Sequence, residues 1–167
     1  MRELHLLRHA KSAWDRPGLP DRERPLNKRG RRDAPRMGAA LSSLLAPTAI
    51  AVSPAQRARL TLEGLCVGWP ALADCRHVVE EDLYTFSSDD LLDWLVSRDD
   101  SQHSLFLIGH NPALTDLVNT LADGAYLENL PTAGYARLSL DIPSWAGITP
   151  CCSRLVQTLF PRELPED

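Results

Sequence analysis

The chain has 167 residues, 44% apolar and 24% charged, with a net charge of −4 at pH 7. That size and balance suit one globular domain with a sizeable core and exclude a disordered or collagen-like chain. No apolar run reaches the roughly 18 residues that a membrane span needs. Met1-Arg2-Glu3-Leu4-His5-Leu6-Leu7-Arg8 has neither the apolar stretch nor the cleavage site of a signal peptide. One domain over residues 1–167, acting in the cytoplasm and away from membranes, is expected.

In chain order, Leu4–Leu7 reads as a short buried strand, and residues 9–26, with Pro17, Gly18, Pro20 and Pro25, as a long loop. Asn27 is placed to cap a helix to about Leu45, with Met37, Leu41, Leu44 and Leu45 on one face. Pro35 lies inside that span and predicts a later start or a kink. Ala49–Val52 reads as a second strand, followed by Ser53 as N-cap, Pro54 at the first helical position, and a helix through about Leu65. Val78-Val79 ends in the acidic cluster Glu80-Glu81-Asp82. Ser88 is positioned to cap a helix whose apolar face is Leu91, Leu92, Trp94 and Leu95. Leu105–Ile108 is the clearest buried strand, and Gly109-His110-Asn111-Pro112 turns it into a helix through about Ala122. Tyr135–Leu140 alternates like an edge or half-exposed strand, and Arg154–Leu159 reads as a last one.

Strands alternating with helices predict a three-layer α/β/α sandwich around a mostly parallel sheet. Parallel strands point their C-terminal ends to one edge, where ligand sites gather. Arg8-His9, Ser53 to Arg57, Glu81-Asp82 and Gly109-His110 all fall there. The charge distribution suits a compact anion. Residues 1–36 hold eleven Lys/Arg against five Asp/Glu, and the remainder is acidic. An overall acidic chain with 6% aromatics argues against nucleic acid. A phosphate needs only a few well-aimed arginines.

These residues carry a family likeness. Arg8-His9-Ala10-Lys11-Ser12-Ala13-Trp14 resembles the R-H-G-E-S-x-W signature of the histidine phosphatase superfamily, whose fold is the phosphoglycerate-mutase-like one. Arg24-Pro25-Leu26-Asn27-Lys28-Arg29-Gly30 resembles its [RDH]-x-L-[TS]-x-x-G segment. Ser53-Pro54-Ala55-Gln56-Arg57-Ala58 with Thr61 resembles S-[PS]-x-x-R-[AT]-x-x-T, and Gly109-His110 the motif of the second histidine. Within the superfamily, Arg8-His9-Ala10-Lys11-Ser12, Asp82-Leu83-Tyr84 and Pro131-Thr132-Ala133-Gly134 make the chain most similar to the short SixA-type phosphohistidine phosphatases. The resemblance implies His9 as nucleophile and Arg8, Arg57 and His110 as the phosphate pocket. A general acid after the third strand falls on Glu81 or Asp82, of which Asp82 fits the spacing of the short branch. Asp15 stands where the family often has a phosphate-side Asn, and that role is not carried over.

The chemistry is reasonable on its own terms. A neutral imidazole is nucleophilic near pH 7, and guanidinium forks stabilise transferring phosphoryl oxygens. Taken singly, His9 or His110 would pass for an ordinary core or surface histidine; it is their convergence with two arginines that points to function. His5 reads as structural, His77, His103 and Arg59 as solvated, Trp14 as a packing residue, and the arginines of residues 22–36 as mostly a solvated face, with some placed to rim the site. Cys66, Cys75, Cys151 and Cys152 show no metal-ligand spacing and read as reduced thiols. No nucleotide or flavin fingerprint is visible, so neither metal nor cofactor is expected. The leading expectation is a metal-independent phosphatase acting through phospho-His9 on protein phosphohistidine or a small phosphomonoester. The alternatives are a phosphosugar or phosphoglycerate phosphatase or mutase, and a non-catalytic phosphate-binding module. Nothing in the sequence speaks to oligomeric state.

Overall fold

The computed structural model describes residues 1–166. Within them a six-stranded sheet has the order β3-β2-β4-β1-β5-β6. The strands are β1 (Arg2–Arg8), β2 (Ala51–Val52), β3 (Val78–Val79), β4 (Ser104–Gly109), β5 (Tyr135–Leu140) and β6 (Ser153–Leu159). The helices are α1 (Lys28–Ser42), α2 (Gln56–Gly68), α3 (Ser88–Val96) and α4 (Ala113–Leu121). β1, β2, β3 and β4 run parallel, while β5 and β6 complete the sheet antiparallel to their neighbours. The four parallel strands therefore deliver their C-terminal ends to one edge, as the sequence pattern requires.

Side-chain alternation along the strands builds the layers. Leu4 and Leu6 of β1 enter a core with Leu91, Trp94 and Leu95 of α3 and Leu114, Leu117 and Leu121 of α4. Leu7 of the same strand enters a second core with Met37 and Leu41 of α1, Ala58 and Leu65 of α2, Phe106 and Tyr135. The sheet is thus covered on both faces. His5 shares the second face: its Nδ1 lies 2.6 Å from the Tyr135 hydroxyl, and its ring stacks on Phe106 and Tyr135.

Several expectations need correction. Tyr135–Leu140 is neither an edge nor half-exposed. It lies between β1 and β6 with five of its six residues buried, because its polar Arg137 pairs with Glu3 across the strands at 2.9 Å and leaves the rest apolar or small. Pro35 does not delay the start of α1, which begins at Lys28 after the Asn27 cap, whose side chain accepts from the Gly30 N–H at 2.9 Å. His77 is not merely solvated. Its Nδ1 accepts from the Ile50 N–H at 3.0 Å and its Nε2 donates to the Leu72 carbonyl at 2.8 Å.

One close approach shapes the site edge. A methyl at Gly30 would stand 2.2 Å from the Lys11 carbonyl oxygen. Only glycine lets the first turn of α1 lie against the segment leaving β1.

Candidate active site

His9 follows the last residue of β1, and its neighbours hold it from three directions. Its own N–H donates to the Gly109 carbonyl at 3.1 Å. The Ala133 N–H is shared between the carbonyls of Arg8 at 3.0 Å and His9 at 3.1 Å. The next N–H, on Ala10, donates to Thr61 Oγ1 at 2.9 Å, and the Thr61 hydroxyl donates to the Arg57 carbonyl at 2.7 Å. The Ala133 and Thr61 positions of the sequence motifs therefore brace the strand end on opposite sides.

The His9 tautomer follows from its contacts. Nδ1 lies 2.7 Å from the Ala10 carbonyl, which only accepts, so Nδ1 carries the proton and Nε2 keeps its lone pair. Burial is the main reason the His9 pKa falls to about 3; the positive charges of Arg57 and Arg8 push the same way, against the Ala10 hydrogen bond. At neutral pH His9 is an uncharged imidazole with a free nucleophilic nitrogen.

His110, at the end of β4, stands with its ring centroid 5.2 Å from that of His9. Its Nε2 lies 2.7 Å from Ser53 Oγ. Ser53 is fully buried, and its Oγ already accepts from the Ala55 N–H at 3.2 Å. Among the described residues His110 is the acceptor left for the Ser53 hydroxyl proton, so Nε2 accepts and Nδ1 is protonated. Burial, reinforced by Arg57, brings the His110 pKa to about 3, so this group too is a neutral donor. Ser53 therefore does not cap a helix as expected. α2 starts at Gln56 with no side-chain cap, and the Ser53 hydroxyl is turned to the histidine instead.

Both expected arginines join the cluster. Arg57 is 2% exposed; its terminal nitrogens donate to the Asp21 carbonyl at 2.7 Å and to Asp21 Oδ2 at 3.0 Å. Arg8 donates through one terminal nitrogen to the Leu130 carbonyl at 3.1 Å. Among the described residues, five buried side-chain nitrogens have no partner, and three of them are Arg8 Nε, Arg57 Nε and His110 Nδ1. Buried donors are almost always satisfied. These three orphans belong to the residues whose charge or ring bears directly on His9, and unpaired donors of this kind are what an oxyanion would require.

Asp21 was not visible as a site residue in the sequence. It lies in a short 3₁₀ turn, Asp21–Glu23, within the long loop. Besides Arg57 it accepts from the Tyr84 hydroxyl at 2.6 Å and from Arg24 at 3.2 Å. Burial alone would raise its pKa; the hydrogen bonds from Tyr84 and Arg57, with the Arg57 charge, outweigh that and hold it at about 2. Tyr84 and Phe86 in turn stand 5.5 Å from the His110 ring.

Neither carboxylate expected after the third strand bonds to the cluster. Glu81 is exposed and paired with Arg22, which holds its pKa below the usual range. Asp82 lines a surface groove with Tyr84, Asp90 and Asp93, and no hydrogen bond or ion pair joins it to His9, Arg8, Arg57 or His110. Asp15 is exposed. Trp14 is 73% exposed rather than packed, with the Arg24 guanidinium 3.5 Å from its ring centroid. Arg24 is itself buried and so departs from the solvated face expected for its segment.

Known proteins share the family signature and the fold. The profile of the histidine phosphatase superfamily (branch 1) matches residues 4–84. An uncharacterised protein of Mycobacterium tuberculosis strain H37Rv is 34% identical over 93% of this chain and all of its own length. Solved structures assigned as phosphohistidine phosphatase SixA superpose over 96% of the chain. That from Nakamurella multipartitia has a TM-score of 0.80 at 23% identity over 96% of its own length. That from Agrobacterium tumefaciens has a TM-score of 0.76 at 27% identity over 98%. A mycobacterial glucosyl-3-phosphoglycerate phosphatase complexed with VO3 is more distant, with a TM-score of 0.65 at 16% identity over 93% of this chain and 97% of its own. With its strand order, its paired histidines and arginines and these relatives, the chain belongs to the histidine phosphatase superfamily.

Proposed function

We propose that residues 1–167 form one phosphatase domain that hydrolyses protein phosphohistidine through a phosphoryl intermediate on His9. The observation that carries this reading is that Arg8 Nε, Arg57 Nε and His110 Nδ1 are buried without partners, in the three residues that act electrostatically on His9, whose Nε2 is unprotonated. In the first step the Nε2 lone pair attacks phosphorus while the bond from phosphorus to the leaving atom breaks and its electron pair departs with that atom. The three nitrogens donate to the phosphoryl oxygens as charge moves onto them. In the second step water attacks phospho-His9, the P–N bond breaks, and His9 Nε2 recovers its lone pair as phosphate leaves. A cytoplasmic site of action belongs to the same proposal and is supported by four unpaired cysteines, which suit a reducing compartment.

The likeness to SixA-assigned structures supports phosphohistidine as the substrate, and so does the position of Asp82. An alkoxide leaving group needs a positioned acid, and the Asp82 carboxylate makes no hydrogen bond or ion pair with the cluster. The alternative, a phosphoglycerate-type phosphatase or mutase, has the more distant structural likeness in its favour. The test is turnover by the purified protein and by His9→Ala of a phosphohistidine peptide and of 3-phosphoglycerate. Phosphohistidine hydrolysis lost in His9→Ala is expected. Efficient turnover of 3-phosphoglycerate alone would favour the alternative, and ligand binding without turnover would favour a binding module.

A further inference from the structure

We infer that Asp21, with Tyr84 and Phe86, forms a subsite for the leaving group, in which the Asp21 carboxylate accepts a hydrogen bond from the distal N–H of a phosphorylated imidazole. This rests on the phosphohistidine reading and specifies how such a substrate would be distinguished from an ordinary phosphate ester.

Arg57 is 2% exposed, His110 is 1% exposed, and the Asp21 side chain is 44% exposed. Asp21 is therefore the solvent-side cover of Arg57. A phosphoryl group seated on the buried nitrogens must direct its leaving group outward, toward the face where Asp21, Tyr84 and Phe86 stand. Phe86 is 50% exposed, and its ring meets that of Tyr84 edge-on at 5.9 Å. Together the two rings give a planar leaving group an aromatic wall beside His110.

Next is the state of the carboxylate. Oδ2 accepts from both Arg57 and Tyr84, whereas Oδ1 accepts from Arg24 alone. A carboxylate has about four lone-pair sites in all, so Oδ1 keeps capacity for another donor. The group is ionised at neutral pH, so it accepts a hydrogen bond and supplies no proton. Beside a bound phosphate a fixed negative charge is unfavourable for a leaving group that is itself anionic. It favours one that presents an N–H, most of all a cationic one.

Phosphoimidazole fits that description. When its distal nitrogen is protonated the ring is a cation. Attack by His9 Nε2 then forms one P–N bond and breaks another. The electron pair of the broken bond returns to the proximal ring nitrogen, and a neutral imidazole leaves with its proton still on the distal nitrogen. Atoms and charge balance with no proton delivered to the leaving atom. Asp21 contributes by stabilising the protonated ring. A carboxylate poised to accept, in place of an acid poised to donate, agrees with the absence of any bond between Asp82 and the cluster.

Asp21→Asn and Asp21→Ala test this on two substrates assayed with the same preparation, a phosphohistidine peptide and phenyl phosphate, whose leaving group has no N–H. Losing one charge-assisted hydrogen bond should lower kcat/KM on phosphohistidine roughly 10- to 100-fold more than on phenyl phosphate. The pH profile should move as well. Wild type keeps its phosphohistidine activity to higher pH, and in the variants activity falls from a lower pH as the substrate ring loses its proton. Equal losses on both substrates, with an unshifted profile, would overturn the inference and reduce Asp21 to a clamp on Arg57. If wild type hydrolyses phenyl phosphate and leaves the phosphohistidine peptide intact, the functional reading itself fails and the subsite with it.

Discussion

Lowering the pH from 7 to 5 should destabilise the fold through His5, His9 and His110, whose buried imidazoles are held neutral. Burial is the chief cause in each case. It takes His5 to about 4 and His9 and His110 to about 3, against about 6.5 for an unfolded chain. Below pH 6.5 the unfolded state binds protons that the folded state refuses, so stability falls with pH across the window from 6.5 down to 3 or 4. Between pH 7 and 5 each histidine accounts for about 2 kcal/mol, or about 6 kcal/mol for the three together. Asp21 does not offset this, because its depressed pKa costs stability only below the usual carboxylate range near 4. A domain has only about 5–15 kcal/mol in total, so the change should be large. Urea unfolding followed by tryptophan fluorescence at pH 7, 6 and 5 measures it, and His5→Phe provides the control. The phenyl ring keeps the stacking on Phe106 and removes one titrating group, so the loss from pH 7 to 5 should shrink to about 4 kcal/mol. The lost partner of the Tyr135 hydroxyl lowers stability at every pH and leaves the slope readable. A urea midpoint that stays constant from pH 7 to 5, or an unchanged slope in His5→Phe, would refute the reasoning.

Three further outcomes are expected. Ser53→Ala should release the His110 tautomer and lower kcat about 3- to 10-fold, the worth of one neutral hydrogen bond. Ser53→Thr should restore both the rate and the Nδ1–H imidazole signature in ¹⁵N spectra; identical spectra in wild type and Ser53→Ala would contradict this. Asp82→Asn should leave phosphohistidine turnover within about threefold of wild type, whereas loss of a working general acid costs roughly 10²–10⁴-fold. Activity should survive EDTA, since two arginines supply the positive charge and neutral His110 a further hydrogen bond, and a requirement for added Mg²⁺ would call for another mechanism.

The sequence made the strand ends legible because short apolar runs stop abruptly at Arg8-His9, Ser53 and Gly109-His110, and a parallel sheet has only one edge for such ends. Helix caps were harder to read. Ser53-Pro54 has the composition of a helix start, yet the hydroxyl is more stable donating to a buried histidine, and no periodicity encodes that choice. Asp21 was invisible because it lies in a loop whose path is set by long-range contacts to Arg57 and Tyr84. A carboxylate three residues before Arg24 carries no signal of its own. Asp82, by contrast, carried a signal in the sequence. Its spacing matched the family branch, but the 3₁₀ turn Glu81–Leu83 buries Leu83 and leaves both acidic side chains exposed. β5 was misjudged because its alternation of small, charged and apolar residues resembles a half-exposed strand until Glu3 is seen to neutralise Arg137.

The central claim is that His9 carries the phosphoryl group, and covalent trapping tests it most directly. The protein is quenched in alkali during turnover of a ³²P-labelled phosphohistidine substrate, and the labelled peptide is mapped. The account predicts label on His9 that survives alkali and is lost in acid, as a phosphoramidate should be, and none in His9→Ala. Label persisting in His9→Ala, or turnover by that variant at the wild-type rate, would contradict it.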